Sequence, residues 1–467
     1  MQKTRIVATI GPATQSEEMM TALRKAGAGF FRMNMSHGDH ATHQKTVDLA
    51  MRIEKKTGEF VGLICDLCGP KIRIGDFDGG QVTLKPGARF VLTTRKITGT
   101  ESEVHINYPS LCKDLKPGDR VLLDDGKKEL RVTKVINATD LETQVVHGGA
   151  TKSRRGVNIP NAHLSISALT AKDKKDVAWG AKQDFAYFAI SFVRSAKDVR
   201  TLKKLLTAGG STAKVIAKIE TPEAVDAIDD IIAEADAIMV ARGDLAVEIG
   251  PENVPYVQKQ IIRKCNDAGK PVITATQMLE SMVRNPSPTR AEISDVANAI
   301  FDGTDAVMLS EETAVGEFPL ETVEMMARTA RKAESASRTH RRIAVNPENL
   351  VDSVSSSVVH VAEDIGATLI AALTEYGGTA RMISRHRPTQ PVYAFTPHRF
   401  SARQTMLSHG VTPILMPGFT GVTSASAGVQ KELLRQGIAN KGDRIVLSAG
   451  IPFGTPGSTN MMLVVTV

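Results

Sequence analysis

Cysteine and aromatic residues are scarce in this chain of 467 residues. It contains four cysteines and one tryptophan, and aromatic residues make up 4% of it. Four cysteines in so long a chain do not suggest a disulfide scaffold, so we expect a reducing, cytoplasmic environment. Because no basic tract is interleaved with aromatic residues, the sequence argues against a nucleic-acid-binding protein.

Long apolar runs are also missing. No stretch is long enough to cross a bilayer, and the opening MQKTRIVATIGP has no secretory core and runs directly into a strand-like pattern. We therefore expect no membrane association. A composition of 42% hydrophobic and 23% charged residues is typical of a globular protein, and the length predicts two to four domains.

Basic residues outnumber acidic ones, which gives a formal net charge of +7 and a pI near 9.1. One interpretation is a solvated basic surface. The other is a set of pockets for anionic small molecules such as phosphates and carboxylates. The motifs described below favour the second interpretation for part of the excess.

Short apolar runs alternate with helical patterns through most of the first 340 residues. Eight of these runs are interpreted as strands, at 5–10, 29–34, 61–66, 185–192, 214–220, 237–244, 271–277 and 306–312. Eight strands that alternate with helices predict an α/β fold, a (β/α)₈ TIM barrel. The helical pattern at 252–269 ends at Gly269, a residue type that terminates helices.

One further region interrupts this repeat, and another follows it. Short β-like runs with turn signals at 75–157 predict a small β domain, inserted in a barrel loop as a lid. After the sequence THRRIAVNPENL, which is typical of a linker, strands and helices alternate again. The predicted domains are a barrel at 1–74 and 158–340, a lid at 75–157 and a C-terminal α/β domain at 341–467.

A lysine and a glutamate stand two residues apart at the end of the fifth strand, in AKIETPE (217–223). Residues i and i+2 of a strand point to one face, so Lys218 and Glu220 emerge together. Asp244 ends the sixth predicted strand, and the carboxyl ends of barrel strands carry active sites. Two carboxylates beside a lysine suit a divalent metal and phosphoryl transfer. The alternatives are helix capping by each acid, or a simple Lys218–Glu220 salt bridge.

Polar residues also follow other predicted strands. FRMNMSHG (31–38) carries four of them, and single ones end other strands; the set is Arg32, Asn34, Ser36, His37, Asp66, Thr276 and Ser310. Backbone N–H groups near Gly243 could bind a carboxylate or phosphate. For His37 the alternative is a surface or capping histidine. Cys65 and Cys68 have CxxC spacing, but the other two cysteines lie too far away in sequence to favour a zinc site.

Two loops of the C-terminal region are rich in small residues. LTEYGGTARMISRHRP places Thr374, Gly378 and Thr379 at a turn between a strand and a helix, and AGIPFGTPGSTN (449–460) forms the second loop. Both could hold a phosphate through backbone N–H and hydroxyl groups. The alternative is a pair of ordinary turns.

Several long stretches resemble the pyruvate kinase family; they include FRMNMSHG, GPKIR, RRGVNIP, VIAKIETPEAV, IMVARGDLAVEI, PVITATQMLESM and PTRAEISDVANAIFDGTDAVMLSEETAVGEFP. The resemblance extends from TRIVATIGP to the final residues. It implies a barrel, an inserted lid and a C-terminal effector domain. It also implies phosphoryl transfer from phosphoenolpyruvate to ADP, giving pyruvate and ATP, with Mg²⁺ or Mn²⁺, in a homotetramer.

The resemblance also implies roles for single residues. Glu220 and Asp244 would hold the metal, Lys218 would neutralise the transferring phosphoryl group, and Arg32 would contact the phosphate. Gly243 and Asp244, with Thr276, would bind the substrate carboxylate. Thr276 and Ser310 would line the side on which a water relay protonates the enolate. The residues near the nucleotide would be Pro12, Asn34, His37, Arg73 and Arg155.

The stretch DLCGPKIR (66–73) departs from many relatives, which have a threonine and a glutamate where this chain has Leu67 and Lys71. In those relatives the glutamate accompanies a bound K⁺, which is liganded by groups matching Asn34, Ser36 and Asp66. A tethered ammonium can supply the charge of K⁺. This chain therefore resembles the K⁺-independent branch, and we expect activity without K⁺.

The C-terminal loops resemble the family's effector site, so Thr374, Gly378 and Thr379 are expected to bind the phosphate of a sugar phosphate or a nucleoside monophosphate. A second enzymatic interpretation is a metal-dependent lyase or aldolase acting on a keto acid, which would need no nucleotide lid. A non-enzymatic sensor would lack the metal ligands or the lysine, and this sequence has both.

Overall fold

The computed structural model describes residues 2–160, 162, 164–336, 343–455 and 457–467. The chain begins with three parallel strands joined by two helices: β1 (Arg5–Thr9), α1 (Glu17–Ala26), β2 (Ala28–Asn34), α2 (His40–Thr57) and β3 (Gly62–Asp66). The Ser16 side chain accepts from the N–H of Met19 and so caps α1, which ends at Gly27 with a φ of +125°.

An inserted region follows β3. Its elements are a 3₁₀ turn (Asp78–Gly80), β4 (Gln81–Leu84), β5 (Arg89–Thr93), β6 (Glu103–His105), α3 (Leu111–Asp114), β7 (Arg120–Leu123), β8 (Lys128–Val135), β9 (Asp140–His147), β10 (Gly149–Lys152) and β11 (Val157–Asn158). Six strands form one sheet in the order β11-β7-β8-β9-β5-β6, and β10 pairs with β4. The insertion has its own apolar core, and its two connections pair at Arg73 and Gly156.

The chain then completes the barrel. The remaining elements are α4 (Ala171–Gly180), β12 (Tyr187–Ile190), α5 (Ala196–Ala208), β13 (Lys214–Ile219), α6 (Pro222–Asp226), α7 (Ile228–Glu234), β14 (Ala237–Ala241), α8 (Arg242–Ile249), α9 (Val254–Ala268), β15 (Val272–Ala275), a 3₁₀ turn (Glu280–Val283), α10 (Arg290–Phe301), β16 (Ala306–Leu309), α11 (Glu311–Ala314) and α12 (Pro319–Ala336). Eight strands close in the order β1-β16-β15-β14-β13-β12-β3-β2. The predicted (β/α)₈ barrel with an inserted β region is confirmed.

Four predicted strands were too long by three or four residues: 185–192, 237–244, 271–277 and 306–312. Residues 242–244 belong to the first turn of α8, and residues 311–312 to α11. The apolar pattern stops at Ala241 and at Leu309, and the β14 ladder ends where Ala241 pairs with Ala275. Asp244 therefore lies in the first turn of a helix, where a carboxylate is favourable, rather than at a strand end.

A separate sheet follows in the C-terminal region. Its elements are α13 (Leu350–Asp364), β17 (Leu369–Leu373), α14 (Gly378–Arg385), β18 (Val392–Thr396), α15 (Arg399–Thr405), β19 (Val411–Leu415), α16 (Val422–Arg435), β20 (Arg444–Gly450) and β21 (Thr459–Thr466). The order is β19-β18-β17-β20-β21, with β21 antiparallel to β20. The predicted domain boundary at 340, and the first residues of the predicted linker, lie outside the described residues.

The C-terminal region packs on the amino ends of the barrel strands. Tyr187, the first residue of β12, donates its hydroxyl to the carbonyl of Gln404 at 2.8 Å. Asp305, just before β16, binds Arg387 at 2.9 Å, and both side chains are buried. This region therefore lies opposite the barrel end that carries Lys218 and Glu220.

Among the described residues, no helix is both long and apolar enough to cross a membrane.

Candidate active site

Lys218 lies at the carboxyl end of β13 and is 9% exposed. Its Nζ donates to Ser191 Oγ at 2.7 Å and lies 2.9 Å from Glu220 Oε1 and 3.4 Å from Asp66 Oδ1. Burial lowers the pKa of Lys218, but the two carboxylates outweigh burial and raise it above its ordinary value. The ammonium therefore stays charged. The Lys218–Glu220 ion pair, which the sequence analysis gave as an alternative, is present as part of a larger cluster.

Arg32, from β2, binds the second carboxylate oxygen of Asp66. Its Nη2 lies 2.6 Å from Asp66 Oδ2, and its Nη1 donates to Thr9 Oγ1 at 2.9 Å. Burial raises the pKa of Asp66, but Lys218 and Arg32 together hold it below its ordinary value. Asp66 Oδ1 is buried and has no hydrogen-bond donor. Asp66 thus aligns two cations beneath the barrel mouth.

Glu220 directly follows β13 and is 1% exposed. Its Oε2 accepts from the N–H of Phe192 at 2.7 Å, and Phe192 has a φ of +53°. Burial and the negative charge of nearby Asp244 raise the pKa of Glu220, against the opposing effect of Lys218. The negative charge of Asp244 beside the buried Glu220 carboxylate makes a further cation favourable here.

Glu220 and Asp244 fit a divalent metal that keeps part of its shell for other ligands. Both line the cavity at the barrel mouth. In the described parts of the chain, no group of three or more His, Cys, Asp or Glu side chains could hold a metal ion. Mg²⁺ is commonly bound by one or two carboxylates with water and substrate oxygens. The donor set present here is of that kind.

The barrel mouth encloses a cavity of about 680 Å³. It gathers most of the residues singled out in the sequence: Pro12, Arg32, Asn34, Ser36, His37, Lys71, Lys218, Glu220, Asp244, Thr276 and Ser310. Gly243 lines an adjoining cavity of about 960 Å³, which shares Asp244, Thr276 and Ser310. Arg73 and Arg155 line a third cavity of about 390 Å³ under the insertion, with Lys71. Asp66 lies below these cavities.

Thr276 and Gly243 are tied to each other across two strand ends. The N–H of Gly243 donates to Thr276 Oγ1 at 2.8 Å, and the hydroxyl donates to the carbonyl of Ala275 at 2.6 Å. Thr276 has a φ of +70°, a strained conformation that often marks functional sites. Arg242 donates to the carbonyl of Thr276 at 2.7 Å and so fixes this turn.

His37 follows β2 and is exposed. Burial, and then the charges of Lys71, Arg73 and Arg32, lower the pKa of His37, which places these cations on its side of the mouth. Lys71 shares the mouth cavity with Asn34 and Ser36. Within the described structure, no hydrogen bond or ion pair joins its ammonium to those two residues or to Asp66.

Sequence reasoning missed Ser191, which holds Lys218. Ser191 ends an apolar run, as the recognised polar residues do, so the same signal could have identified it. Lys172 was also missed: its Nζ donates to the carbonyl of Met35 and to Asp176 Oδ2, both at 2.6 Å. Lys172 thereby holds the turn that carries His37, and no motif in the sequence indicates this.

A fourth cavity, of about 630 Å³, lies in the C-terminal region. Thr374, Gly378 and Thr379 line it together with residues of the 449–460 loop. The hydroxyls of Thr379 and Thr459 are hydrogen bonded at 2.8 Å. The two loops that the sequence singled out therefore face one space.

A closed barrel, a β insertion at its mouth and a C-terminal α/β region define a multidomain barrel enzyme. Residues 1–323 match the family "Pyruvate kinase, barrel domain", and residues 352–465 match "Pyruvate kinase, alpha/beta domain". The chain belongs to the pyruvate kinase family and is a phosphotransferase, as the resemblance predicted.

Individual relatives match over the whole chain. Pyruvate kinase 2 of a Synechocystis species is 45% identical over 472 residues, covering 100% of this chain and 79% of the relative. A pyruvate kinase of Clostridium acetobutylicum is 43% identical over 473 residues, covering 100% of both. The crystal structure of a pyruvate kinase from Cryptosporidium parvum aligns with a TM-score of 0.90 at 34% identity, covering 100% of this chain and 96% of that one.

Proposed function

We propose that this enzyme transfers a phosphoryl group from phosphoenolpyruvate to ADP, giving pyruvate and ATP in the last step of glycolysis. One observation carries the proposal: the Lys218 ammonium is held at the barrel mouth by Ser191, Glu220 and Asp66. A buried, permanently charged and oriented cation is suited to a phosphoryl group in transfer. The names of the relatives support the same reaction.

The two buried cations act on the phosphoryl group. Lys218 neutralises the negative charge on the group in transfer, and Arg32 contacts the phosphate of the bound substrate. Asp66 keeps both cations oriented, since it lies within 3.4 Å of Lys218 and 2.6 Å of Arg32. Because these groups are already in place, little reorganisation accompanies the reaction.

The substrate carboxylate binds at Gly243, Asp244 and Thr276, where the first turn of α8 offers backbone N–H groups. The Gly243 N–H, which donates to Thr276 Oγ1 at 2.8 Å, is released to the ligand. Thr276 and Ser310 line the side on which the enolate receives a proton. Nucleotide contacts come from five residues on the other side of the mouth: Pro12, Asn34, His37, Arg73 and Arg155.

Glu220 and Asp244 hold the divalent metal, Mg²⁺ or Mn²⁺. When bound, the ion supplies positive charge to the oxygens of the phosphoryl group. Glu220 is buried and oriented by the Phe192 N–H, while Asp244 stands in the first turn of α8.

Lys71 takes the place of K⁺ in this enzyme. It shares the mouth cavity with Asn34 and Ser36, and its positive charge lowers the pKa of His37. Leu67 lacks the hydroxyl that many relatives have at its position, and it is 2% exposed. We therefore expect activity without a monovalent cation.

The C-terminal cavity is the proposed regulatory site. A sugar phosphate or nucleoside monophosphate places its phosphate at Thr374, Gly378 and Thr379, beside the 449–460 loop. The functional units are the barrel at 1–74 and 158–340, the lid at 75–157 and the effector domain at 341–467. We expect a homotetramer in the cytoplasm.

A coupled assay with phosphoenolpyruvate, ADP and Mg²⁺ tests the reaction. We expect ADP-dependent pyruvate formation that Lys218→Met abolishes, with similar rates in K⁺ and in a large organic cation at equal ionic strength. Pyruvate release from a keto acid without ADP would instead support the lyase or aldolase alternative. A large K⁺ stimulation at fixed ionic strength would contradict the role of Lys71 alone.

A further inference from the structure

The insertion contacts helix α8 of the barrel at two places. Asn158, the last residue of β11, donates its side-chain amide to Glu248 Oε1 at 2.9 Å. The turn after β7 approaches the preceding residue of α8, because a Cβ added to Gly126 would lie 3.8 Å from Val247 Cγ1. Both contacts therefore fall on consecutive residues of one barrel helix.

Helix α8 also belongs to the active site. Its first turn carries Gly243 and Asp244, for which we propose substrate and metal binding. Glu248 stands four residues after Asp244, so the two side chains are neighbours on the helix surface. Glu248 lines the cavity under the insertion as well as the adjoining cavity that contains Gly243. Through Glu248, α8 joins the insertion to the floor of the site.

Asn158 belongs to the segment that leads the chain back from the insertion to the barrel. This segment pairs with the entering one: the N–H of Val157 donates to the carbonyl of Ile72 at 2.9 Å, and the N–H of Ile74 donates to that of Arg155 at 3.0 Å. Arg155, one of the proposed nucleotide contacts, lies three residues before Asn158 and lines the same cavity. The position of Asn158 therefore determines that of Arg155.

The two connecting segments and the Glu248 contact constrain the insertion in different ways. Two paired segments keep each other in register, but they leave the angle between insertion and barrel free to change, as at a hinge. The hydrogen bond from Asn158 to Glu248 restricts this angle, because Glu248 is part of the barrel.

We propose that Glu248 is a positioning residue, which holds Asn158 and thereby keeps the insertion at the angle where Arg155 contacts the nucleotide. Glu248 itself touches neither the nucleotide nor the reacting phosphoryl group. This inference rests on the proposed function and deepens it, since it names the barrel residue that sets the nucleotide side of the mouth.

Initial rates of the full-length enzyme test this role. We compare wild type with Asn158→Ala, Glu248→Ala, the combination of both, Glu248→Gln and the exposed control Glu101→Ala. Each single alanine variant should raise KM for ADP about tenfold, the effect of losing one charge-assisted hydrogen bond. KM for phosphoenolpyruvate and kcat should change less than about twofold, because the barrel binds that substrate.

The remaining variants separate a shared contact from two independent effects. The combined variant should match the single ones, because both substitutions remove the same hydrogen bond. Glu248→Gln should keep most of the wild-type affinity, since its amide oxygen can still accept from Asn158, and Glu101→Ala should match wild type. Additive losses, or a loss in Glu248→Gln as large as in Glu248→Ala, would overturn the proposal.

Hydrogen–deuterium exchange tests the contact without catalysis. In ligand-free enzyme, peptides covering 154–160 should exchange about tenfold faster in Glu248→Ala and Asn158→Ala than in wild type, while peptides covering β13 should not change. Unchanged exchange at 154–160 would overturn the proposal. Faster exchange with an unaltered KM for ADP would keep Glu248 as the residue that holds the insertion and contradict nucleotide binding beneath it, which is part of the proposed function.

Discussion

The two ends of β13 carry the same residue type in opposite situations. At the carboxyl end, Lys218 is enclosed by Ser191, Glu220 and Asp66 at 2.7 to 3.4 Å. At the amino end, Lys214 has one carbonyl at 3.3 Å. Burial lowers the pKa of both lysines, but carboxylates reverse its effect on Lys218 alone.

The two lysines also differ in exposure, because Lys218 is buried and Lys214 is half-buried. A catalytic cation must be charged and oriented before the substrate arrives, so its surroundings neutralise it in advance. Lys214 lines the C-terminal cavity and has no carboxylate partner among the described residues, so an anionic ligand there would supply charge that Lys214 lacks. The following predictions test this contrast.

The largest effect is expected for Lys218→Met. Removing the cation should lower kcat by about a thousandfold or more, because no other group replaces its charge at the reacting phosphoryl. In the variant, Asp66 still binds Arg32, and Glu220 still accepts the Phe192 N–H. The protein should therefore remain folded at 25 °C, as measured by circular dichroism. Lys204→Met is the matched control and should keep wild-type kcat. An unfolded variant whose folded fraction kept full specific activity would show that Lys218 is structural.

Lys71→Glu should make the enzyme depend on K⁺. The substitution replaces a cation with an anion at the cavity shared with Asn34 and Ser36, and a K⁺ ion would then restore the charge. We expect stimulation of about tenfold by K⁺ at fixed ionic strength in the variant, and under about twofold in wild type. The exposed lysine control Lys96→Glu should behave as wild type. Equal K⁺ responses in all three proteins would remove Lys71 from this role.

Effector affinity should weaken as the pH rises through about 8, the pKa of Lys214. The neutral amine above this pH no longer attracts the phosphate of an effector in the cavity that Lys214 lines, while phosphates are already ionised there. The other charges around Lys214 are Arg381, Asp236, Lys270 and Lys203. Half-saturating concentrations of glucose 6-phosphate between pH 7 and 9 should rise several-fold.

Lys214→Arg is the control for this pH dependence, since arginine stays charged throughout the range. The variant should show a flat profile from pH 7 to 9. An unchanged profile in the arginine variant would assign the titration to another group.

The smallest effect is expected for Lys172→Met. Lys172 tethers the carbonyl of Met35 and Asp176 at 2.6 Å, and so acts on the nucleotide side only through the turn that carries His37. We expect KM for ADP to rise about threefold to fivefold with kcat nearly unchanged, and Lys172→Arg to recover most of the loss. The exposed neighbour Lys174 provides the control Lys174→Met. A loss in kcat alone would contradict a positioning role.

The sequence predicted the fold well because each barrel strand is a short apolar run between helical patterns. Most of the mouth was also predictable, since polar residues such as Arg32 and Glu220 end those runs. Helix starts directly after strands were less predictable, as residues 242–244 show, because α8 begins without a side-chain cap that would mark its first residue. The position of Lys214 beside the C-terminal cavity was not predictable at all, because it depends on how the C-terminal sheet docks on the barrel.

The insertion has a topological consequence. Its entering and leaving segments pair at Arg73 and Gly156, so the two points at which it joins the barrel lie next to each other. Its core is built from its own residues. Because the cost of closing a loop grows slowly with length, such a unit can lengthen, shorten or change its surface while the barrel keeps its register. The insertion at the barrel mouth can therefore vary in length and surface, and the barrel beneath it does not depend on the insertion to fold.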